Sequence, residues 1–186
     1  MQIPMNTPWG YPDFDAHEAL HFVTDESTGL RAIIAMHSTH LGPAAGGTRF
    51  WHYADDAEAL TDALRLSRGM SYKNAMAGLP MGGGKAVVLA NKSRTKTPEM
   101  LAVFGAAVNS LCGKYVTAED VGMSVADMIE ISKKTKFVAG LPVEGGEVGG
   151  DPGPHTSLGV FLGIKAAVKR ALGKDSLSGL HIALQG

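Results

Sequence analysis

The stretch 69–85, GMSYKNAMAGLPMGGGK, constrains what this chain can fold into more than any other. Gly78, Pro80 and the triplet Gly82-Gly83-Gly84 lie between Lys73 and Lys85. Glycine and proline at that density end a helix and permit backbone shapes closed to other residues. Lys73 therefore falls at the end of one element, and Lys85 opens the apolar run Ala86-Val87-Val88-Leu89. A glycine-lined turn with two cations can hold an anion through one lysine and exchange protons through the other. The same letters also describe a plain turn with two solvated lysines. A phosphate-binding loop is excluded. Leu79 stands where its first glycine is required, and Ala86 where it needs serine or threonine.

The 186 residues are 45% hydrophobic and 19% charged, with net charge −1, which suits a globular protein with a substantial core. A near-neutral balance gives no reason to expect nucleic acid or an anionic membrane as partner. Cys112 is the single cysteine, so no internal disulfide is possible. That suits a reducing compartment, and a cytoplasmic location is expected. The N-terminal residues lack a basic segment followed by an apolar one, so no signal peptide is expected. No run reaches the ~18 apolar residues of a membrane span.

In chain order, residues 1–16 read as an irregular arm. Leu20–Val23 and Leu30–Met36 read as strands joined by the turn 25–29. Residues 42–49 read as a loop. Asp55, with Glu58 three residues on, predicts a helix start, and Ala59, Leu60, Ala63, Leu64 and Leu66 continue it at helical spacing towards Lys73. Residues 84–89 read as a buried strand. Thr97-Pro98 predicts a helix start, and the helix runs to about Leu111. Tyr115–Ala118 and Phe137–Ala139 read as short strands around a helix capped by Ser124 and Asp127. The Gly- and Pro-rich residues 140–154 read as a long loop of functional character. A helix follows to Leu172, then a strand from Leu180 to Gln185. This alternation predicts an α/β fold, a three-layer domain with a mixed, largely parallel sheet. The last strand, ending at Gly186, looks like the first strand of a truncated Rossmann domain.

His17-Glu18-Ala19-Leu20-His21 matches HExxH letter for letter, but that zinc motif requires a long helix and here a turn and strand follow at once. No metal is expected, and His37, His40, His52, His155 and His181 read as loop or surface residues. Ala118-Glu119-Asp120 puts carboxylates at the end of a strand, where α/β proteins often carry catalytic groups. Asp120 as a simple turn starter is the plainer reading. Two lysines and a carboxylate at strand-edge loops make an acid–base site.

Five segments, taken together, resemble the amino acid dehydrogenase family of glutamate, leucine, phenylalanine and valine dehydrogenases. They are Gly46-Gly47-Thr48-Arg49, Gly69–Asn74, Gly82–Lys85, Ala118–Gly122 and Asp151–Pro154. Their order and spacing match over nearly the whole chain, closest to the leucine/phenylalanine branch. The resemblance implies NAD-dependent oxidative deamination of an L-amino acid to a 2-oxo acid and ammonia, leucine or a branched-chain substrate first and phenylalanine next. It implies that Lys73 holds the substrate carboxylate, Lys85 activates water and polarises the carbonyl, and Asp120 shuttles protons. Gly46 and Gly47 would let the backbone approach the substrate, while Met70, Ala45 and Ala118 line the side-chain pocket. Asp151, Thr156 and Gly186 would lie at the cofactor. A homo-oligomer built partly on the N-terminal hairpin is also implied. Burial of Lys85 near Lys73 would lower its pKa towards neutrality.

Two departures stand out. Gly153 occupies the third place of the Asp-Pro-Gly-Pro loop, where the family usually has serine. Ala45 stands where leucine enzymes carry a larger residue, which favours a bulky, aromatic side chain, whereas Ala118 fits the leucine type. The resemblance divides the chain into a substrate-binding, catalytic and oligomerisation domain (1–150), a connecting helix (151–175) and the start of an NAD-binding Rossmann domain (176–186). A non-catalytic α/β module, for oligomerisation or anion binding, remains the alternative. It requires Lys73, Lys85 and Asp120 to lie apart.

Overall fold

The computed structural model describes residues 7–91, 95–142 and 149–184, and divides into two compact units at the 150/151 boundary. In the first unit, β1 (Ala19–Asp25) and β2 (Leu30–Ser38) form an antiparallel hairpin. Its turn is tied by the Asp25 carboxylate, which accepts from Ser27 and Thr28, and Gly29 takes the left-handed conformation (φ 71°). Then come β3 (Ala44–Trp51), α1 (Asp56–Met76), β4 (Gly82–Leu89), α2 (Pro98–Ser110), β5 (Tyr115–Glu119) and α3 (Val125–Ser132). The sheet order is β1-β2-β4-β3-β5. β2 pairs antiparallel with both its neighbours, whereas β3 runs parallel to β4 and β5, so the two kinds of pairing are equal in number.

The three layers follow from strand alternation. On β2, Leu30, Ala32, Ile34 and Met36 face α2 and α3, together with Ala86 and Val88 of β4, Met100, Leu101, Phe104 and Val108 of α2, and Met128 and Ile131 of α3. The intervening Ile33, Ala35, Val87 and Leu89 face α1, through Ala59, Leu60, Ala63 and Leu64. Each fully buried side chain of this kind contributes about 2 kcal/mol. The predicted helix starts hold. Asp55 accepts from the Glu58 amide and Thr97 from the Met100 amide, while Ser124 and Asp127 close a reciprocal capping box. Val138 forms a single parallel bridge to Thr117 rather than a strand.

Two sequence expectations change. Residues 44–51 are not a loop but the strand β3, at the centre of the parallel half of the sheet. Glycine spends little strand propensity, and Gly46-Gly47 hides the alternation that marks a strand. These glycines are needed for space. A Cβ on Gly46 would overlap the Gly84 carbonyl oxygen, and one on Gly47 would lie 2.6 Å from the Glu119 carbonyl oxygen. In the second unit, α4 (Gly153–Leu172) ends at Gly173 in the left-handed conformation (φ 65°), with Lys169 paired to Asp175 at 2.6 Å. Residues 180–184 form no strand, because none of the described residues offers them a hydrogen-bond ladder. Gly186, carried over for the cofactor, lies outside the described residues.

Candidate active site

α1 rests on β4 and β2, touches β3 lightly and leaves the near face of β5 largely bare. That bare face is where the chemistry collects. Ala45 pairs with Gly83 and Thr48 with Ala86, a constant offset that sets Lys85 level with Gly47. Gly47 in turn pairs with Ala118. Lys85, Gly47 and Ala118 therefore form a row across three parallel strands. Asp120 follows one residue beyond β5, at its carboxyl end.

Lys85 is buried, with a side chain 7% exposed, and its ammonium donates to the Asp120 carboxylate in a short ion pair. Burial pushes the Lys85 ammonium below the usual lysine range. Arg49 adds to this, and the bond to Asp120 opposes it. Burial pushes the Asp120 carboxyl up, but Lys85, the Val121 amide and Arg49 outweigh it and hold the group below the usual carboxylate range. The second cation facing Lys85 is thus Arg49, rather than Lys73 as the sequence suggested.

Gly46 and Met70 meet, as a Cβ on Gly46 would stand 3.1 Å from the Met70 Cγ. Asp62, which binds Arg49, and Met70 mark the stripe of α1 that faces β3. Lys73 lies three residues after Met70 on the same stripe, in the last turn of α1. Its side chain is exposed and makes no hydrogen bond or ion pair with a described residue. The end of α1 is fixed to the glycine strands. The buried Asn74 donates from Nδ2 to the Gly82 carbonyl oxygen at 2.7 Å, and a Cβ on Gly83 would collide with Ser71. From the other face, Tyr115 Oη donates to the Gly46 carbonyl oxygen at 2.7 Å.

Sequence reasoning gave no role to Arg49, Asp62 or Tyr53. Arg49 was hidden inside a supposed loop. Read as a strand, residues 45, 47, 49 and 51 share one face, which was the available signal. The HExxH residues disperse. His17 Nε2 lies 3.0 Å from both the Leu64 carbonyl oxygen and Ser67 Oγ, Glu18 accepts from Thr39, and His21 sits within β1. His37 is not a surface loop residue, since it lies half-buried at the penultimate position of β2, 2.7 Å from Ser71 Oγ.

Asp151 and Thr156 lie in the second unit at the start of α4, both exposed. Asp151 Oδ1 accepts from the Gly153 amide at 2.8 Å, while the Thr156 hydroxyl has no protein hydrogen bond among the described residues. An exposed hydroxyl can both donate and accept a hydrogen bond.

A profile of the Glu/Leu/Phe/Val dehydrogenase dimerisation domain matches residues 17–137. The chain belongs to the Glu/Leu/Phe/Val dehydrogenase family. It is 51% identical over 170 residues to a leucine dehydrogenase of Geobacillus stearothermophilus, covering 91% of this chain and 46% of the relative. A valine dehydrogenase of Streptomyces albus is 47% identical over 176 residues, covering 95% and 48%. Among solved structures, the L-tryptophan dehydrogenase of Nostoc punctiforme superposes with TM-score 0.68 at 46% identity, covering 88% of this chain and 45% of that one. The chain thus spans about half the length of the relatives it matches.

Proposed function

We propose that this chain carries the catalytic groups of an NAD-dependent L-amino acid dehydrogenase, converting an L-amino acid reversibly to its 2-oxo acid and ammonia. The buried Lys85–Asp120 pair, beside Gly47 at the carboxyl ends of parallel strands, carries the reading. Lys85 and Asp120 meet, whereas the non-catalytic alternative requires them to lie apart. Buried ion pairs are weak sources of stability, and perturbed titrating groups concentrate at functional sites.

In the forward direction Lys73 holds the substrate carboxylate, an exposed cation on the stripe that overlooks the bare strands. The small Gly46 and Gly47 admit the substrate backbone, and Met70, Ala45 and Ala118 bound its side chain. Asp151 and Thr156 are the residues that would hold a nicotinamide, which would supply the hydride acceptor for this oxidation. Asp120 accepts a proton from the amino group and returns it to departing ammonia. Lys85, its charged form penalised by burial, takes the proton of the water that attacks the imino carbon. The short side chain at Ala45 leaves room for a large substrate, so aromatic amino acids belong beside leucine and valine in any panel.

The test is NADH formation by the full gene product with L-Leu, L-Val, L-Phe, L-Trp and L-Glu, using NAD and, separately, NADP. Turnover with an aliphatic or aromatic substrate and NAD is expected; no turnover with any of the five by folded protein overturns the reading. Lys85→Ala is expected to lower kcat by at least about 100-fold, the scale of a lost general base. Lys73→Ala is expected chiefly to raise KM for the amino acid. An 85 variant that retains most of its turnover removes Lys85 from the mechanism.

A further inference from the structure

Arg49 leaves β3 two residues after Gly47, on the same face, and stands between two carboxylates. Its Nη1 is 2.9 Å from Asp62 Oδ2, and its Nε is 3.6 Å from Asp120 Oδ2, the oxygen that also receives Lys85. Tyr53 Oη donates to the same Asp62 oxygen at 2.7 Å. The result is a linear array, Lys85–Asp120–Arg49–Asp62–Tyr53, in which cations and carboxylates alternate and no charge is left over. One detail breaks its symmetry. Arg49 Nε is buried and has no hydrogen-bond partner among the described residues, while its Nη1 donates to Asp62. A buried donor without a partner is uncommon and asks for a reason. Here the donor lies 3.6 Å from Asp120 Oδ2, the oxygen that Lys85 also engages.

We propose that Arg49 is the positioning residue of this site: Asp62 and Tyr53 hold one side of its guanidinium so that the other, through Nε, keeps Asp120 ionised and aimed at Lys85. This rests on the dehydrogenase reading given above. The planar guanidinium suits the task because its donors lie in a fixed fork and can face two carboxylates in set directions, whereas an ammonium is a point charge on a flexible stem. In the neutral form that takes up the water proton, Lys85 has a weaker hold on Asp120, and Nε is the group placed to take over. Asp120 then stays an acceptor instead of turning to solvent.

The charged and titratable groups around the array come from three sources. β3 and the residues after it supply Arg49 and Tyr53, β4 and the turn after β5 supply Lys85 and Asp120, and α1 supplies Asp62. Glu58 and Arg65 of α1 line the same polar hollow beside Arg49 and Tyr53, which encloses about 300 Å³. Arg49 favours the ionised form of Asp120 and disfavours the charged form of Lys85. Removing it therefore moves both groups upward, and the sign of the pH effect does not depend on which of them limits the rate.

The test compares Arg49→Gln with the parent in the full gene product, using an amino acid the parent turns over; a parent without turnover would instead refute the dehydrogenase reading itself. Expected for R49Q are a fall in kcat of about 30-fold or more, within the range of a misplaced proton-transfer group, and KM within about threefold. The acid limb of kcat/KM should move to higher pH. In an Asp120→Asn background, R49Q should have little further effect on kcat, because a residue acting through Asp120 has nothing left to act on. Arg49→Lys should recover part of the loss by restoring the charge. Full additivity of R49Q and D120N, or an unshifted acid limb with wild-type kcat, overturns the proposal. Should R49Q fail to fold, R49K takes its place, and wild-type kcat with a wild-type acid limb in R49K overturns it equally.

Discussion

Lys85 and Asp120 show how a single pair can be costly for the fold and useful to the site. Removing one partner strands the other, because Lys85 sits 7% exposed with no other carboxylate among the described residues in hydrogen-bond contact. Asp120→Asn is expected to lower stability at neutral pH by about 3 kcal/mol. A second substitution, Lys85→Met, should restore most of that loss, as urea unfolding would reveal. The pH dependence has a definite sign. Asp120 is held below its usual value in the folded protein, so its contribution is fully present above the unfolded carboxylate value of about 3.9 and fades as pH falls through the lower folded value. The parent should therefore lose more stability than D120N over that acid interval. Equal losses would mean that Asp120 gains nothing from its partners. At this scale the sequence was informative where the chemistry is unusual: two lysines among glycines, and a carboxylate at a strand end. Arg49 was not legible, because its importance comes from Asp62, thirteen residues away on another element, and no local pattern joins them.

At the scale of elements, helices were legible and one strand was not. Helix starts announce themselves through short-range bonds, as at Asp55, Thr97 and Ser124, so the residues that cap them lie beside the turns they cap. β3 has no such local signature. It is a strand because β4 and β5 hold it on both sides, and its glycines are there because neighbouring backbones occupy the space a Cβ would need. Tyr115 completes that arrangement from beneath. Its ring takes the space beside Gly84, and its hydroxyl fixes the Gly46 carbonyl. Tyr115→Phe keeps the ring and loses one buried hydrogen bond. It should cost about 1 kcal/mol, read as a lower urea midpoint with unchanged slope. A loss of several kcal/mol would show that the hydroxyl does more than secure one carbonyl. The strand expected over 180–185 illustrates the same dependence on partners, since an apolar run becomes a strand only where another strand receives it.

For the molecule as a whole, the sheet has an open edge at β1, whose outer side pairs with no described strand and carries Phe22 60% exposed. Edges of this kind are normally covered or blunted. We expect the hairpin to take part in a homo-oligomer, measurable by light scattering on the eluting full gene product, and a monomer at micromolar concentration would remove that expectation. No helix among the described residues is long and apolar enough to cross a membrane. The alternating array at the site has a consequence for how ligands arrive. Two cations and two carboxylates cancel, so beyond about 10 Å at ordinary ionic strength they project almost no field. Lys73 has no ion-pair partner among the described residues, and an amino acid, the proposed substrate class, is a zwitterion with no net charge for it to pull from afar. Encounter should therefore be slow to respond to added salt, and discrimination must come after contact, from the alignment of a small dipole against a row of fixed charges.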